Sequence, residues 1–348
     1  MFVFCIEDPN AGLRSVLEEL KRTGIEQPSR NGPVVRFPRP VCLEYPNPCQ
    51  RLLTSPVRDA NPVFHLFESM WMLAGMQELE PLLLYNSGMS QYSDDGKVLR
   101  GTAYGHRWRN YRAGNSTGGW GDQLLKAAHA LLTNHDDRRV VVSMWDPTEL
   151  GKETKDQACN LQVIFNTRPA PQPGGKPLLD MTVTNRSNDL IYGAMGSNLF
   201  HFSILLEYMA QRTGCLPGSY YQVSANLHLY TENPTAARCW EQHEAITPDD
   251  ISGLTDHSLT HLGLTQEPKL IRAYVENRDY KSDQPYIVQV VVPLVEAYHI
   301  FKMKSRTGLV IPAGQRIEAA CAVADACASR PLALASQQWF RRRSKPSE

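Results

Sequence analysis

Four strand-forming runs crowd the middle of this chain, and helical periodicity brackets them on both sides. Arg138 to Trp145, Cys159 to Phe165, Leu178 to Thr184 and Tyr220 to Tyr230 are rich in β-branched and aromatic residues and read as strands. Arg168 to Pro177 holds four prolines and two glycines, which predicts a surface connection. Upstream, Leu13, Val16, Leu17 and Leu20 share one face of a helix that Gly24 stops, and a second helix is predicted from about Val63 to Met76. Between them the turn-rich Ser29 to Pro33 leads into an extended stretch ending near Tyr45. Downstream, Asn198 to Arg212 returns to helical spacing before Gly214, and Ile317, Ala320, Cys321 and Ala324 mark a later helix. No internal repeat and no repeated βαβ period occurs, so the pattern predicts an α+β fold over a doubly wound sheet.

With 348 residues, 42% of them hydrophobic, the chain can bury one large core, and no composition shift divides it. A single domain over residues 1–348 is expected. Lys plus Arg number 36 against 36 Asp plus Glu, so no overall field would hold the chain on nucleic acid or an anionic membrane. The longest apolar stretches, such as Ile287 to Leu294, are too short to span a bilayer, and a cytoplasmic setting is expected. The eight cysteines form no CxxC pair, which suits a reducing compartment and predicts no metal site.

Several residues could carry chemistry. Cys159 opens a strand after the polar loop Lys152 to Gln157, where a substrate could reach a thiolate, although a small buried cysteine is the plainer reading. Arg138 and Arg139 precede a strand, Arg186 follows one and Arg30 sits in a loop; a guanidinium at any of them could fork onto a phosphate or make a surface ion pair. Glu68 lies inside the apolar run Phe67 to Leu73, where a carboxylate is costly unless paired or protonated, or else it marks a narrow polar stripe. His228 and Tyr230 alternate along a strand and share one face.

Seven segments, in order, resemble thymidylate synthases and the related nucleotide hydroxymethylases: Phe67 to Gly75, Tyr104 to Arg109, Asp137 to Val140, Ala158 to Asn160, Asn185 to Asp189, Asn198 with its helix, and Leu227 to Tyr230. The resemblance covers roughly residues 12–232, leaving 235–348 as a divergent part of the same domain. It implies a three-layer fold with a central mixed β-sheet flanked by helices, one sheet face being used for homodimerisation. It implies that Cys159 adds to C6 of a pyrimidine nucleotide so that C5 attacks the methylene of 5,10-methylenetetrahydrofolate, the co-substrate. Arg30, Arg186 and, from the partner subunit, Arg138 and Arg139 would hold the 5′-phosphate, with Ser187 in support. His228 and Tyr230 would bind the sugar hydroxyl and Asp189 the pterin; Glu68 would organise water and proton transfer on the folate, and Tyr104 would stand near C5. Asn198 would face the base, donating to O4 and accepting from N3–H of uracil, although a flipped amide could serve cytosine.

The departures from that family carry their own implication. Where thymidylate synthases have a tryptophan that shields the C5 methylene intermediate from water, this chain reads Gly88-Met89-Ser90-Gln91-Tyr92. Asn160 replaces a histidine, Ile164 stands where a glutamine is expected, Ala158 replaces a proline, and one extra residue lies between Gly193 and Asn198. The chain ends in a basic cluster from Arg341 to Lys345 instead of a short apolar tail. Together these resemble the bacteriophage-type deoxyuridylate hydroxymethylases, which make 5-hydroxymethyl-dUMP. The rival readings are a thymidylate synthase, a dCMP or CMP hydroxymethylase, and a nucleic-acid-binding regulator supported only by the basic tail.

Overall fold

Helix α1 (Pro9–Thr23) starts where Asp8 accepts the Ala11 N–H at 2.8 Å and buries Leu13, Val16, Leu17 and Leu20, as their spacing predicts. Its neighbours are the short strands β1 (Phe2–Cys5), β2 (Ile25–Gln27), β3 (Val34–Arg36) and β4 (Val41–Tyr45). The computed structural model describes residues 1–111, 119, 121–247, 258–259, 264, 267–277, 279–303, 305–306 and 309–343. Helix α2 (Pro62–Leu73) is capped by Asn61 and buried at every position, so Glu68 lies on no solvent-facing stripe. Three helices lead to the strand block: α3 (Glu80–Leu83), α4 (Tyr104–Arg109) and α5 (Gln123–Thr133).

The strand block is β5 (Val141–Ser143), β6 (Asn160–Arg168), β7 (Leu178–Asn185), β8 (Asn188–Asp189), β9 (Leu216–Ser224) and β10 (Leu227–Tyr230), with α6 (Asn198–Thr213) between β8 and β9. Two sequence expectations need correction. The run from Arg138 to Trp145 forms ladder pairs only over Val141–Ser143. The run from Tyr220 to Tyr230 is two strands that enter different sheets: β9 joins a six-stranded sheet in the order β1-β4-β9-β7-β6-β5, and β10 a four-stranded sheet, β2-β3-β10-β8. Within the strand block two tight crossings lead from the large sheet to the small one, at Arg186–Ser187 and at Ala225–Asn226. The crossings are tied together by Ala225 N–H to Asn185 O at 2.9 Å and Asn188 N–H to Asn226 O at 2.8 Å.

Both sheets mix parallel and antiparallel pairs, which makes the fold α+β. Val163, Phe165, Met181, Val183 and Gln222 face the core side of the large sheet, where α6 packs with α2 beyond it. The alternate residues on the other face, among them Gln162, Ile164, Thr182, Thr184, Tyr221 and Val223, are half-buried. Gly214, in the left-handed region at φ 73°, closes α6 as its position predicts.

After β10 come α7 (Pro234–Glu241), α8 (Pro268–Glu276), α9 (Val292–Lys302), α10 (Ala313–Ala324) and α11 (Arg330–Arg342). Helices α8, α9 and α11 pack on α2, and α10 buries Ile317, Ala320, Cys321 and Ala324. The basic cluster is not simply solvated: Arg342 and Arg343 pair with Asp59 at 3.0 and 2.6 Å, and residues 344–348 lie outside the described residues. Among the described residues no group of His, Cys, Asp and Glu could hold a metal ion, and no helix is long and apolar enough to cross a membrane.

Candidate active site

Cys159 stands half-buried at the entry to β6, beside the first sheet crossing. Arg186 Nε donates to Ala158 O at 2.8 Å and its Nη2 lies 3.6 Å from the Cys159 sulfur. Arg30 reaches the same loop, donating to Thr154 O at 2.8 Å. Burial raises the thiol's pKa, and the Arg186 and Arg30 charges pull it back down. The Tyr104 hydroxyl accepts the N–H groups of Cys159 at 3.2 Å and Asn160 at 3.3 Å. Burial pushes that phenol well above its ordinary pKa, so it stays protonated with its own hydrogen free to donate.

The loop that presents Cys159 is held by groups with no signal in the sequence pattern. Asp156 is buried and accepts from the backbone N–H groups of Gly101 and Thr102, each at 2.8 Å, and from the Thr102 hydroxyl at 2.6 Å. Gly101 is required there, because a Cβ would stand 1.8 Å from Asp156 O. Asp94 accepts from the Thr154 hydroxyl and from Lys155 N–H. Polar loop residues read as solvated by composition are thus the struts of the loop.

On the core side, Asn198 opens α6 and meets Asn160: Asn160 Nδ2 donates to Asn198 Oδ1 at 3.4 Å, and Asn198 Nδ2 donates to Asn188 Oδ1 at 3.1 Å. Asn160 Oδ1 is buried without a hydrogen-bond partner. The segment before Asn198, where the resemblance implies one extra residue, forms a π-helical turn, Leu190–Ser197, kinked at Met195 and Gly196. A Cβ on Gly196 would come within 2.7 Å of Ile191 O. Ser197 from that turn donates to Glu68 Oε2 at 3.3 Å, and His201 Nε2 lies 2.8 Å from the same oxygen, although its N–H is not aligned along the contact. His201 had no signal in the sequence, because α6 also carries Ser203, Glu207, Gln211 and Arg212 and spacing does not single it out.

The small sheet brings the remaining side chains alongside. Asp189 pairs with His228 in the β8–β10 register, Ser187 Oγ lies 3.5 Å from His228 Nδ1, and the His228 and Tyr230 rings meet edge to face with centroids 5.0 Å apart. Asp189 Oδ1 accepts both Ile191 N–H and Tyr192 N–H, while among the described residues no hydrogen bond engages Oδ2. Burial raises the Asp189 carboxyl, partly offset by those two bonds and by His228. Arg138 and Arg139 are the pair that the resemblance assigns to a partner's phosphate site. Both are exposed before β5, and Arg139 pairs with Asp137 at 2.9 Å. Ile164 sits half-buried on the outward face of β6.

A family profile described as thymidylate synthase matches residues 18–254. A deoxyuridylate hydroxymethyltransferase of Pseudomonas phage M6 is 39% identical over 341 residues, covering 95% of this chain and 91% of that protein. One of Bacillus phage SP01 is 36% identical over 238 residues, 67% of this chain and 60% of that protein. A thymidylate synthase of Saccharomyces cerevisiae is 27% identical over 192 residues, 50% and 63% of the two chains.

Proposed function

Because this chain belongs to the thymidylate synthase family, we propose that it moves a one-carbon unit from 5,10-methylenetetrahydrofolate to C5 of dUMP and finishes with water, giving 5-hydroxymethyl-dUMP. The observation that carries this reading is the convergence, in one chain, of Cys159, Arg186, Arg30, Tyr104 and Asn198 around the junction of the two sheets. Arg186, Arg30 and Ser187 take the 5′-phosphate, His228 and Tyr230 the 3′-hydroxyl, and Asn198 the base edge. The Cys159 thiolate adds to C6, the C5–C6 π pair moves into the C4 carbonyl, and C5 bonds to the donor's methylene carbon. Folate supplies that carbon at the oxidation level of formaldehyde. Asp189, with Oδ2 free, suits the N–H edge of a pterin, and Glu68 with His201 suits proton movement beside it.

Loss of the C5 proton and of tetrahydrofolate leaves an exocyclic methylene. Water adds to it as the sulfur leaves C6 and the C5–C6 double bond returns, so no hydride is consumed. Two features support capture by water. The segment Ser87–Tyr92 has no indole and ends instead in a tyrosine, Tyr92. Asn160 Oδ1 is a buried acceptor with no hydrogen-bond partner among the described residues, suited to hold a water beside the base edge.

We further propose a cytoplasmic homodimer built on the half-buried outer face of the six-stranded sheet, one that carries each copy's Arg138 and Arg139 to the partner's phosphate site. Residues 235–343 belong to the same catalytic unit, since their helices close over α2. The test is Cys159→Ala: it should bind dUMP with little change yet neither turn it over nor release tritium from its C5 position. Tritium release by that variant would mean another group attacks C6.

A further inference from the structure

Four buried side-chain amides form a row from the interior of β9 to the position that meets the base. Gln222 Nε2 donates to the Ala194 carbonyl at 3.2 Å, and since that oxygen can only accept, the sense of the Gln222 amide is set. Its Oε1 therefore accepts from Asn188 Nδ2, whose other N–H reaches Ser224 Oγ at 3.3 Å. Asn188 then turns Oδ1 to Asn198 Nδ2 at 3.1 Å, and Asn198 turns Oδ1 to Asn160 Nδ2 at 3.4 Å. Gln222, Asn188, Asn198 and Asn160 are 0, 3, 9 and 0% exposed, so water cannot readily replace a bond that one of them loses.

We infer that Gln222 and Asn188 are specificity-positioning residues, locking the Asn198 amide in the sense that reads uracil and rejects cytosine. The inference rests on the proposed placement of Asn198 against the base. With one N–H given to Asn188 and one lone pair used by Asn160, Asn198 has one donor and one acceptor left. Those match O4 and N3–H of uracil. Cytosine presents an amino group and a bare N3, so donor would meet donor and acceptor would meet acceptor. A flip of Asn198 would serve cytosine, and Asn160 could turn with it, but it would set acceptor against acceptor at Asn188. Turning the whole row instead would aim Gln222 Oε1 at the Ala194 oxygen.

The ratio of kcat/KM for dUMP to that for dCMP tests this in the full-length enzyme. Gln222→Met keeps the volume and removes both hydrogen bonds, freeing Asn188 to turn, and should lower the ratio by roughly tenfold or more. Gln222→Glu should retain the preference: protonated, it still donates to Ala194 and accepts from Asn188, and ionised it can only accept from Asn188. An equal loss for both nucleotides in Gln222→Met, leaving the ratio unmoved, would overturn the inference and mark Gln222 as packing alone. Should Gln222→Met fail to fold, Asn188→Ala is measured the same way, with calorimetric binding of dUMP and dCMP; an unmoved preference there is equally fatal. A wild-type enzyme that turns over neither nucleotide would sink the proposed function together with this inference. A dUMP-selective wild type with unmoved variants would sink the inference alone.

Discussion

The thiol of Cys159 illustrates two opposing forces on one atom. Burial holds it in the neutral form, and the guanidinium of Arg186, 3.6 Å from the sulfur, draws it toward the thiolate. Replacing Arg186 by Gln removes the larger of the two cationic contributions, so the pH midpoint for alkylation of Cys159 by iodoacetamide should move upward. An unchanged midpoint would contradict that balance. Chemistry of this kind is legible in a sequence because cysteine, arginine and a carboxylate in an apolar helix are conspicuous by type. Glu68 was visible for that reason, whereas Asn188 and Gln222 were not. An amide carries no charge and no periodicity, and its meaning here lies in which way it faces. Asp156 escaped for a related reason, since its loop looks solvated until Gly101 and Thr102 fold onto it.

At the level of elements, α2 is enclosed on all sides, and ion pairs fasten its surroundings. Arg51 and Glu207 pair in full burial, and Glu207 also accepts from the Ser258 hydroxyl at 3.0 Å and from Leu259 N–H at 2.7 Å. Glu207→Leu would leave the Arg51 charge buried without its carboxylate, and denaturant unfolding should show a loss of about 3–5 kcal/mol. A loss below about 1 kcal/mol would mean that water reaches Arg51. Helices α1, α2 and α6 were readable from apolar spacing and their caps. The division between β9 and β10 was not, because Ala225-Asn226 carries neither proline nor glycine, and the break follows from the competing claims of two sheets. Of the later helices only α10 was anticipated, while α11 is placed by a buried face of Leu332, Ala335, Trp339 and Phe340, with Arg342 and Arg343 reaching Asp59.

At the scale of the whole molecule, the balanced charge leaves binding to local clusters, and the proposed phosphate cluster within one chain is Arg30 with Arg186. If Arg138 and Arg139 serve the partner's site, each active site in the dimer draws on both copies. Mixing inactive Cys159→Ala protein with inactive Arg138→Ala/Arg139→Ala protein, under conditions that exchange subunits, should then restore activity to about a quarter of the wild-type sites. Half the dimers would be mixed, and each would own one intact site. Failure to recover activity despite exchange would place those arginines outside the site. The central claim concerns the last step, in which water and not hydride meets the C5 methylene. It is tested most directly by incubating the enzyme anaerobically with dUMP and methylenetetrahydrofolate, reading the nucleotide by mass and the folate by absorbance. 5-Hydroxymethyl-dUMP with tetrahydrofolate is the predicted result; dTMP with dihydrofolate would contradict it.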